Sequence, residues 1–153
     1  EHRQGFVHPV ECSGQAESAT IHFILRDFDT RNLDAHYQLL QKTLDETAAR
    51  FPGATYTMSR TEQYRNMKEV LDLHPKVVTL AAEAIKKAGM PVRMLPVRGG
   101  TDGSRMSFMG LPCPNLFTGE MALHSRQEYV SVQDMEKSVE TVVDLARLWT
   151  EEK

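Results

Sequence analysis

R-G-G-T-D-G at residues 98–103, followed by L-P-C-P-N-L-F-T-G at residues 111–119 and then by His124, is the stretch on which the reading of this chain turns. An apolar run leads into the glycine pair Gly99 and Gly100, and Thr101 and Asp102 then open a short helix. A strand hands over in this way to a turn whose backbone N–H groups favour a carboxylate or phosphate. The alternative is a tight strand-to-helix turn in which Asp102 only caps the helix. The pattern is not a P-loop, because no Gly-Lys-Ser/Thr follows, nor is it a dinucleotide fingerprint. His124 comes just after a second apolar run, where a metal ligand can sit at the C-terminal edge of a strand. Glu128, four residues on, is spaced to orient its ring. A solvated surface histidine is the competing reading. A catalytic metal takes three or four ligands, and His2, His8, His22, His36 and His74 form no H-x-x-x-H or H-x-H pattern. Any further ligands must lie elsewhere.

The flanking sequence sets these motifs on an alternating framework. After them, Ser131 with Asp134 three residues on caps a last helix with an apolar stripe of Met135, Val139, Val142 and Ala146. Before them, residues 91–97 read as an apolar strand and residues 74–88 as a helix, which stops at Gly89 ahead of Pro91. Residues 104–109 form a short helix and residues 115–118 a buried strand, so that this half alternates α-β-α-β-α like the edge of an α/β sheet. Upstream the character differs. Residues 5–12 and 19–25 form an antiparallel hairpin, with Pro9 demoting the first strand to an edge or bulged position. Ile21, Phe23 and Leu25 share one face of the second strand, Thr20 and His22 the other. Residues 32–50 carry Leu33, Tyr37, Leu40, Leu44 and Ala48 at helical spacing. Pro52-Gly53 closes that helix, and residues 54–58 are rich in β-formers. The order β-β-α-β suits an antiparallel sheet with helices on one face. The expected fold class is therefore α/β, with a domain boundary at residue 67 separating 1–66 from 67–153.

Composition narrows the function classes. With 153 residues, 41% hydrophobic and 25% charged, the chain has the make-up of a globular protein. A net charge of −3 gives no electrostatic case for a nucleic acid or an anionic membrane. The apolar runs are too short to span a bilayer, and the polar start Glu1-His2-Arg3-Gln4 has no signal-peptide pattern. It also lacks an initiator Met, so the expectation is that Glu1 is not a native N-terminus. Cys12 and Cys113 match no C-x-x-C pattern, and two unpaired thiols suit the cytoplasm.

Four further residues are candidates or are eliminated by context. Arg26 follows an apolar strand and is followed by Asp27 and Asp29; it is either a local ion pair or a planar fork for a substrate carboxylate. Asn66, in Tyr64-Arg65-Asn66-Met67, is either an amide aimed at a substrate oxygen or a turn former. Ser104 and Ser107 lie in no G-x-S-x-G context, which removes support for a serine hydrolase.

Together these residues resemble the peptidase T-like tripeptide aminopeptidases, a branch of the M20 zinc exopeptidases. The likeness is carried by residues 5–8, by I-L-R-D-F-D at 24–29, by Y-R-N-M at 64–67, and by the long block from Arg98 through residues 110–119 to His124 and Glu128. Met121-Ala122-Leu123 and Ser125 depart from the usual family pattern and bear on substrate preference. The resemblance implies an α/β catalytic domain holding two bridged zinc ions, with an inserted α+β lid domain that commonly mediates homodimerisation. Residues 1–66 then correspond to part of the lid and 67–153 to the C-terminal segment of the catalytic domain. The H-x-D motif, the bridging Asp and the Glu-Glu pair with the general base are expected upstream of this chain, so no catalytic residue is expected within it.

What the resemblance implies for function is metal-dependent removal of the N-terminal residue from tripeptides by a longer parent enzyme, in which zinc lowers the pKa of a bridging water. His124 would be one metal ligand. Arg26, Asn66, Arg98, Gly99, Gly100, Thr101 and Asp102 would form the substrate-binding wall, and the fragment alone would be inactive. The alternative is a non-catalytic dimerisation or binding module derived from an M20 peptidase.

Overall fold

The computed structural model describes residues 4–97 and 99–151. Its elements run β1 (Phe6–Gly14), β2 (Ala19–Arg26), α1 (Thr30–Ala48), α2 (Lys68–Leu71), α3 (Pro75–Lys87), α4 (Asp102–Phe108) and α5 (Val132–Glu151), a mixed α/β content. They divide into two compact units. One runs to Asn66 and takes in Pro96–Gly100; the other holds Met67–Leu95 and the chain from Thr101 onward.

In the first unit β1 and β2 pair antiparallel from Phe6↔Arg26 to Gly14↔Ala19, with the register shifting between Pro9 and Glu11. Proline has no N–H to give to a ladder, so the strand bulges there and Val10 is left over. Asp29 caps α1 by accepting the N–H of Arg31 at 3.0 Å, and α1 packs against β2. The hairpin is otherwise sparsely covered: Ile21 keeps 49% and Phe23 38% of its surface exposed. Residues 54–58, expected as a strand, form none. Among the described residues the sheet has only β1 and β2, and Tyr56 instead donates its hydroxyl to Asp45 on α1. A β-rich composition makes a strand only where a ladder awaits it.

The second unit is built on α3 and α5. Leu80 and Ala84 of α3 meet Leu148 of α5, with Leu145 packed alongside. Burying a leucine side chain is worth about 1.5–3 kcal/mol, so this contact is the main apolar anchor of the unit. Pro75 opens α3 at its first turn and Lys86 and Lys87 close it, each where the helix dipole and the orphan N–H groups favour it. Gly89 then leaves the helix at φ 80. Ser131 opens α5 as expected: its Oγ accepts the Asp134 N–H at 3.0 Å and donates to the Asp134 carboxylate at 2.6 Å. Thr141 is fully buried and returns its hydroxyl to the Lys137 carbonyl at 2.9 Å.

The short helix α4 buries Gly103, Ser104 and Ser107 on one side. Ser107 Oγ accepts the Cys113 N–H at 3.0 Å, which ties residues 111–115 to the helix. Residues 91–97 and 115–118, both expected as strands, form none. Met94 and Leu95 keep 70% and 77% of their surface exposed. Their apolar pattern is that of strands, but among the described residues no neighbouring strand offers them hydrogen bonds. The one-turn helix α2 follows Met67, where the domain boundary was expected; no helix was expected there.

Candidate functional site

At the end of β2 the chain has to turn sharply into α1, and Asp27 makes that turn. Its side chain is 7% exposed. It accepts the Asp29 N–H at 2.8 Å and the Asn32 amide at 3.3 Å, and it meets His36 Nε2 at 3.1 Å. Burial alone would raise the Asp27 carboxyl. The Asp29 N–H, Asn32 and His36, together with the charge on His36, outweigh it and hold the group below the ordinary value. Gly5 lies flat against this pair, and a Cβ there would run into both Asp27 and His36.

With Asp27 committed inward, Arg26 is left to the neighbouring segment. Its guanidinium donates to Gln63 Oε1 at 3.1 Å and lies 5.6 Å from the centre of the Tyr64 ring. The local ion pair offered as one reading of Arg26 does not form. Asp27 faces His36, while Asp29 pairs with Arg31 at 2.6 Å, whose hydrogen bonds pull it to about 2. Among the described residues Arg26 makes no ion pair. Asn66 donates its amide to the Phe28 carbonyl at 2.8 Å, which holds the segment that carries Gln63 and Tyr64 against the β2–α1 turn. Gly100 also lies against the Tyr64 ring, while a Cβ on Gly99 would meet nothing within 4 Å. Arg26, Asn66 and Gly100 are thus gathered around residues 63–66. Arg98 lies outside the described residues.

Thr101 and Asp102 belong to the other unit. Thr101 is the N-cap of α4 by its backbone, and its carbonyl accepts the Ser104 N–H at 3.0 Å. Its side chain makes no capping bond, and its Oγ1 is buried with no hydrogen-bond partner. Asp102 is exposed in the first turn. The cap is therefore Thr101 and not Asp102.

His124 stands near the tip of a short loop closed by Met121 and Tyr129, which exchange backbone bonds at 2.8 Å and 3.2 Å. Two non-glycine residues in this loop have left-handed backbone, Ala122 at φ 55 and His124 at φ 63. Glu128 was expected to orient the imidazole. It does something else: its carboxylate accepts the main-chain N–H of His124 at 2.6 Å. The loop is thereby held in a costly backbone conformation that presents an exposed imidazole. As one nitrogen donor, that imidazole suits zinc. Among the described residues no group of three or more His, Cys, Asp or Glu side chains could hold a metal. The chain offers a donor, not a closed site.

The motifs that carry this geometry all fall within residues 8–148, or lie next to them, and residues 8–148 match the family described as Peptidase family M20/M25/M40. The chain belongs to that family. It is similar to Peptidase T of Aeromonas hydrophila, with 42% identity over 145 residues that cover 95% of this chain and 36% of that protein. Peptidase T of Shewanella pealeana is 40% identical over 97% of this chain and 37% of its own length. Peptidase T of Bacillus velezensis is 38% identical over 97% and 36% respectively. The chain spans little more than a third of the length of these relatives. No helix among the described residues is long and apolar enough to cross a membrane, and Cys12 and Cys113 are free thiols.

Within this M20 framework, Gln63, Tyr64 and the Gly5–Asp27–His36 cluster were not singled out as site residues from sequence. Tyr64 stood inside a quoted motif, but its contact with Arg26 joins segments 38 positions apart, which no local pattern reports.

Proposed function

We propose that this chain is part of a metal-dependent aminopeptidase that removes the N-terminal residue from tripeptides. The observation that carries the reading is the match with Peptidase T across 95% of the chain, a match that takes in both the Arg26 platform and the His124 loop. In this reading His124 donates one nitrogen to a zinc site completed by residues outside the chain. When bound, zinc supplies Lewis acidity at the scissile carbonyl. Arg26 and the Gly99–Gly100 turn bind the far carboxylate of the peptide. What supports Arg26 in that role is a guanidinium fork without a counter-charge among the described residues, held by Gln63 and Tyr64. A planar fork with N–H groups beside it matches a carboxylate in shape and charge. Asn66 shapes this wall through its bond to Phe28. With one donor and no general base of its own, the isolated chain is inactive. The same reading assigns the first unit to a lid through which two copies pair, and the protein to the cytoplasm, where its two thiols stay reduced.

The test is Arg26→Ala in the full-length protein, assayed on a tripeptide and on the same tripeptide with a C-terminal amide. Losing a charge-assisted hydrogen bond costs about 1.5–3 kcal/mol, or roughly one to two orders of magnitude in kcat/KM. The tripeptide should show that loss and the amide very little of it. Equal losses on both substrates would mean that Arg26 is structural.

A further inference from the structure

We propose that Tyr64 is a positioning residue that holds the Arg26 fork and the Gly99–Gly100 turn in one register, so that the two present their donors together to the carboxylate end of a peptide. The inference rests on the reading of Arg26 given above and deepens it, since it names what makes the carboxylate site specific.

Glycine at position 100 is the first reason. Its backbone is not in the left-handed region, where Gly53, Gly89, Gly110 and Gly119 lie. Conformational freedom therefore does not explain the residue; space does. An ideal Cβ at this position would collide with the Cγ, Cδ2 and Cε2 atoms of the Tyr64 ring. Gly99, one residue earlier, has open space where its side chain would be. Two adjacent glycines thus have different roles: Gly100 closes onto the ring, and Gly99 leaves backbone uncovered.

The second reason is the other contact of the same ring. The Arg26 guanidinium lies 5.6 Å from its centroid, within the range of a cation–π contact. Arg26 also donates to Gln63, the residue next to Tyr64. Consecutive residues therefore grip one guanidinium, one by a hydrogen bond and one by a ring. An arginine side chain free in water samples many rotamers, and a fork already fixed loses less freedom on meeting its ligand. Third, the segment bearing Gln63 and Tyr64 is anchored two residues further on, where Asn66 donates to the Phe28 carbonyl. That carbonyl lies just beyond Asp27, whose buried carboxylate fixes the turn. Arg26 and Tyr64 are consequently each tied to the same β2–α1 turn, and Tyr64 is the common contact between Arg26 and the glycine turn.

Tyr64→Phe, Tyr64→Ala, Gly100→Ala and the double variant Gly100→Ala/Tyr64→Ala, made in the full-length protein, test this on the tripeptide and on its amide. Tyr64→Phe keeps the ring and should keep the tripeptide-to-amide ratio of the parent. Tyr64→Ala and Gly100→Ala should each lower kcat/KM on the tripeptide by about tenfold, chiefly through KM, while the amide changes little. The double variant should be no worse than Tyr64→Ala, because the Cγ, Cδ2 and Cε2 atoms that the new methyl strikes are gone. An unchanged tripeptide-to-amide ratio in Tyr64→Ala, or additive losses in the double variant, would overturn the proposal. If Tyr64→Ala does not fold, Gly100→Ala carries the same ratio test alone. Arg26→Ala separates the two readings. If it leaves the ratio unchanged, both fall; if it collapses the ratio and the Tyr64 and Gly100 variants do not, only the role of Tyr64 falls.

Discussion

Replacing Glu128 by Ala removes the acceptor of the His124 N–H, a bond of 2.6 Å, and the loop around His124 has little else to spare. Left-handed backbone at Ala122 and His124 costs about 1–2 kcal/mol at each residue. Against this stand the paired bonds of Met121 and Tyr129, the Ser125 N–H to the Ala122 carbonyl at 3.1 Å, and Glu128. A hydrogen bond to a charged acceptor contributes about 1.5–3 kcal/mol. Because the loop is exposed, water competes and the lower end applies, so opening should become about tenfold more frequent. Hydrogen exchange followed by mass spectrometry on the full-length protein reads this in peptides that cover residues 121–129. Exchange there should quicken by about tenfold in Glu128→Ala, while peptides covering Leu80 and Ala84 in the core stay unchanged. Glu128→Gln keeps an acceptor without the charge and should fall between the two. Ala122→Gly in the Glu128→Ala background should recover part of the loss by relieving about 1 kcal/mol of strain. If His124 is a metal ligand, the same factor should appear in the rate of metal release to a chelator. Unaltered exchange in Glu128→Ala, or a Gln variant that behaves like the Ala variant, would refute the pinning role.

Two further perturbations follow from geometry already described. Gly103→Ala places a Cβ 2.7 Å from the Cys113 carbonyl oxygen, and overpacking against backbone costs about 1–3 kcal/mol, more than the roughly 1 kcal/mol gained in helix propensity; the melting temperature should fall. Asp27→Asn tests the buried carboxylate. Its folded-state pKa is lowered from 3.8, so its stabilisation is complete above that value and is lost as pH falls through the folded value. The melting temperature of Asp27→Asn should lie furthest below the parent at neutral pH, and the gap should close under acid. A gap that widens on acidification would contradict the assigned sign.

All helices but the one-turn α2 were legible in this sequence because each carries its own evidence. The stripe Val77, Leu80, Ala81 and Ala84 recurs on one face, Gly89 ends α3 at φ 80 and Ser131 opens α5. All of these are local facts with a period of 3.6. Strands are different, since a strand is completed by its partner. The hairpin was legible because both of its strands are present and adjacent, and the irregularity at Pro9 follows from a missing N–H. Residues 54–58, 91–97 and 115–118 carry strand-like composition and yet no ladder forms, because composition does not state where the neighbouring strand is.

The same distinction governs the site. His124 and Arg26 stood out as residue types in suggestive places, but the interactions that define them run through the fold. Glu128 lies four residues from His124, a spacing that invites a carboxylate-to-imidazole bond. That expectation assumed an ordinary backbone. Once His124 adopts a left-handed conformation, its main-chain N–H faces the Glu128 carboxylate, and the bond goes to backbone. A carboxylate in that position fixes where the imidazole points through the backbone, so substitutions at Glu128 should alter the geometry of His124. Arg26 shows the complementary case. Two acidic neighbours in sequence suggested neutralisation, but Asp27 turns inward to His36 and Asp29 is taken by Arg31. Among the described residues the guanidinium has no carboxylate partner, because its own strand ends beside a turn that consumes both neighbouring carboxylates, and that is a property of the turn, not of the arginine.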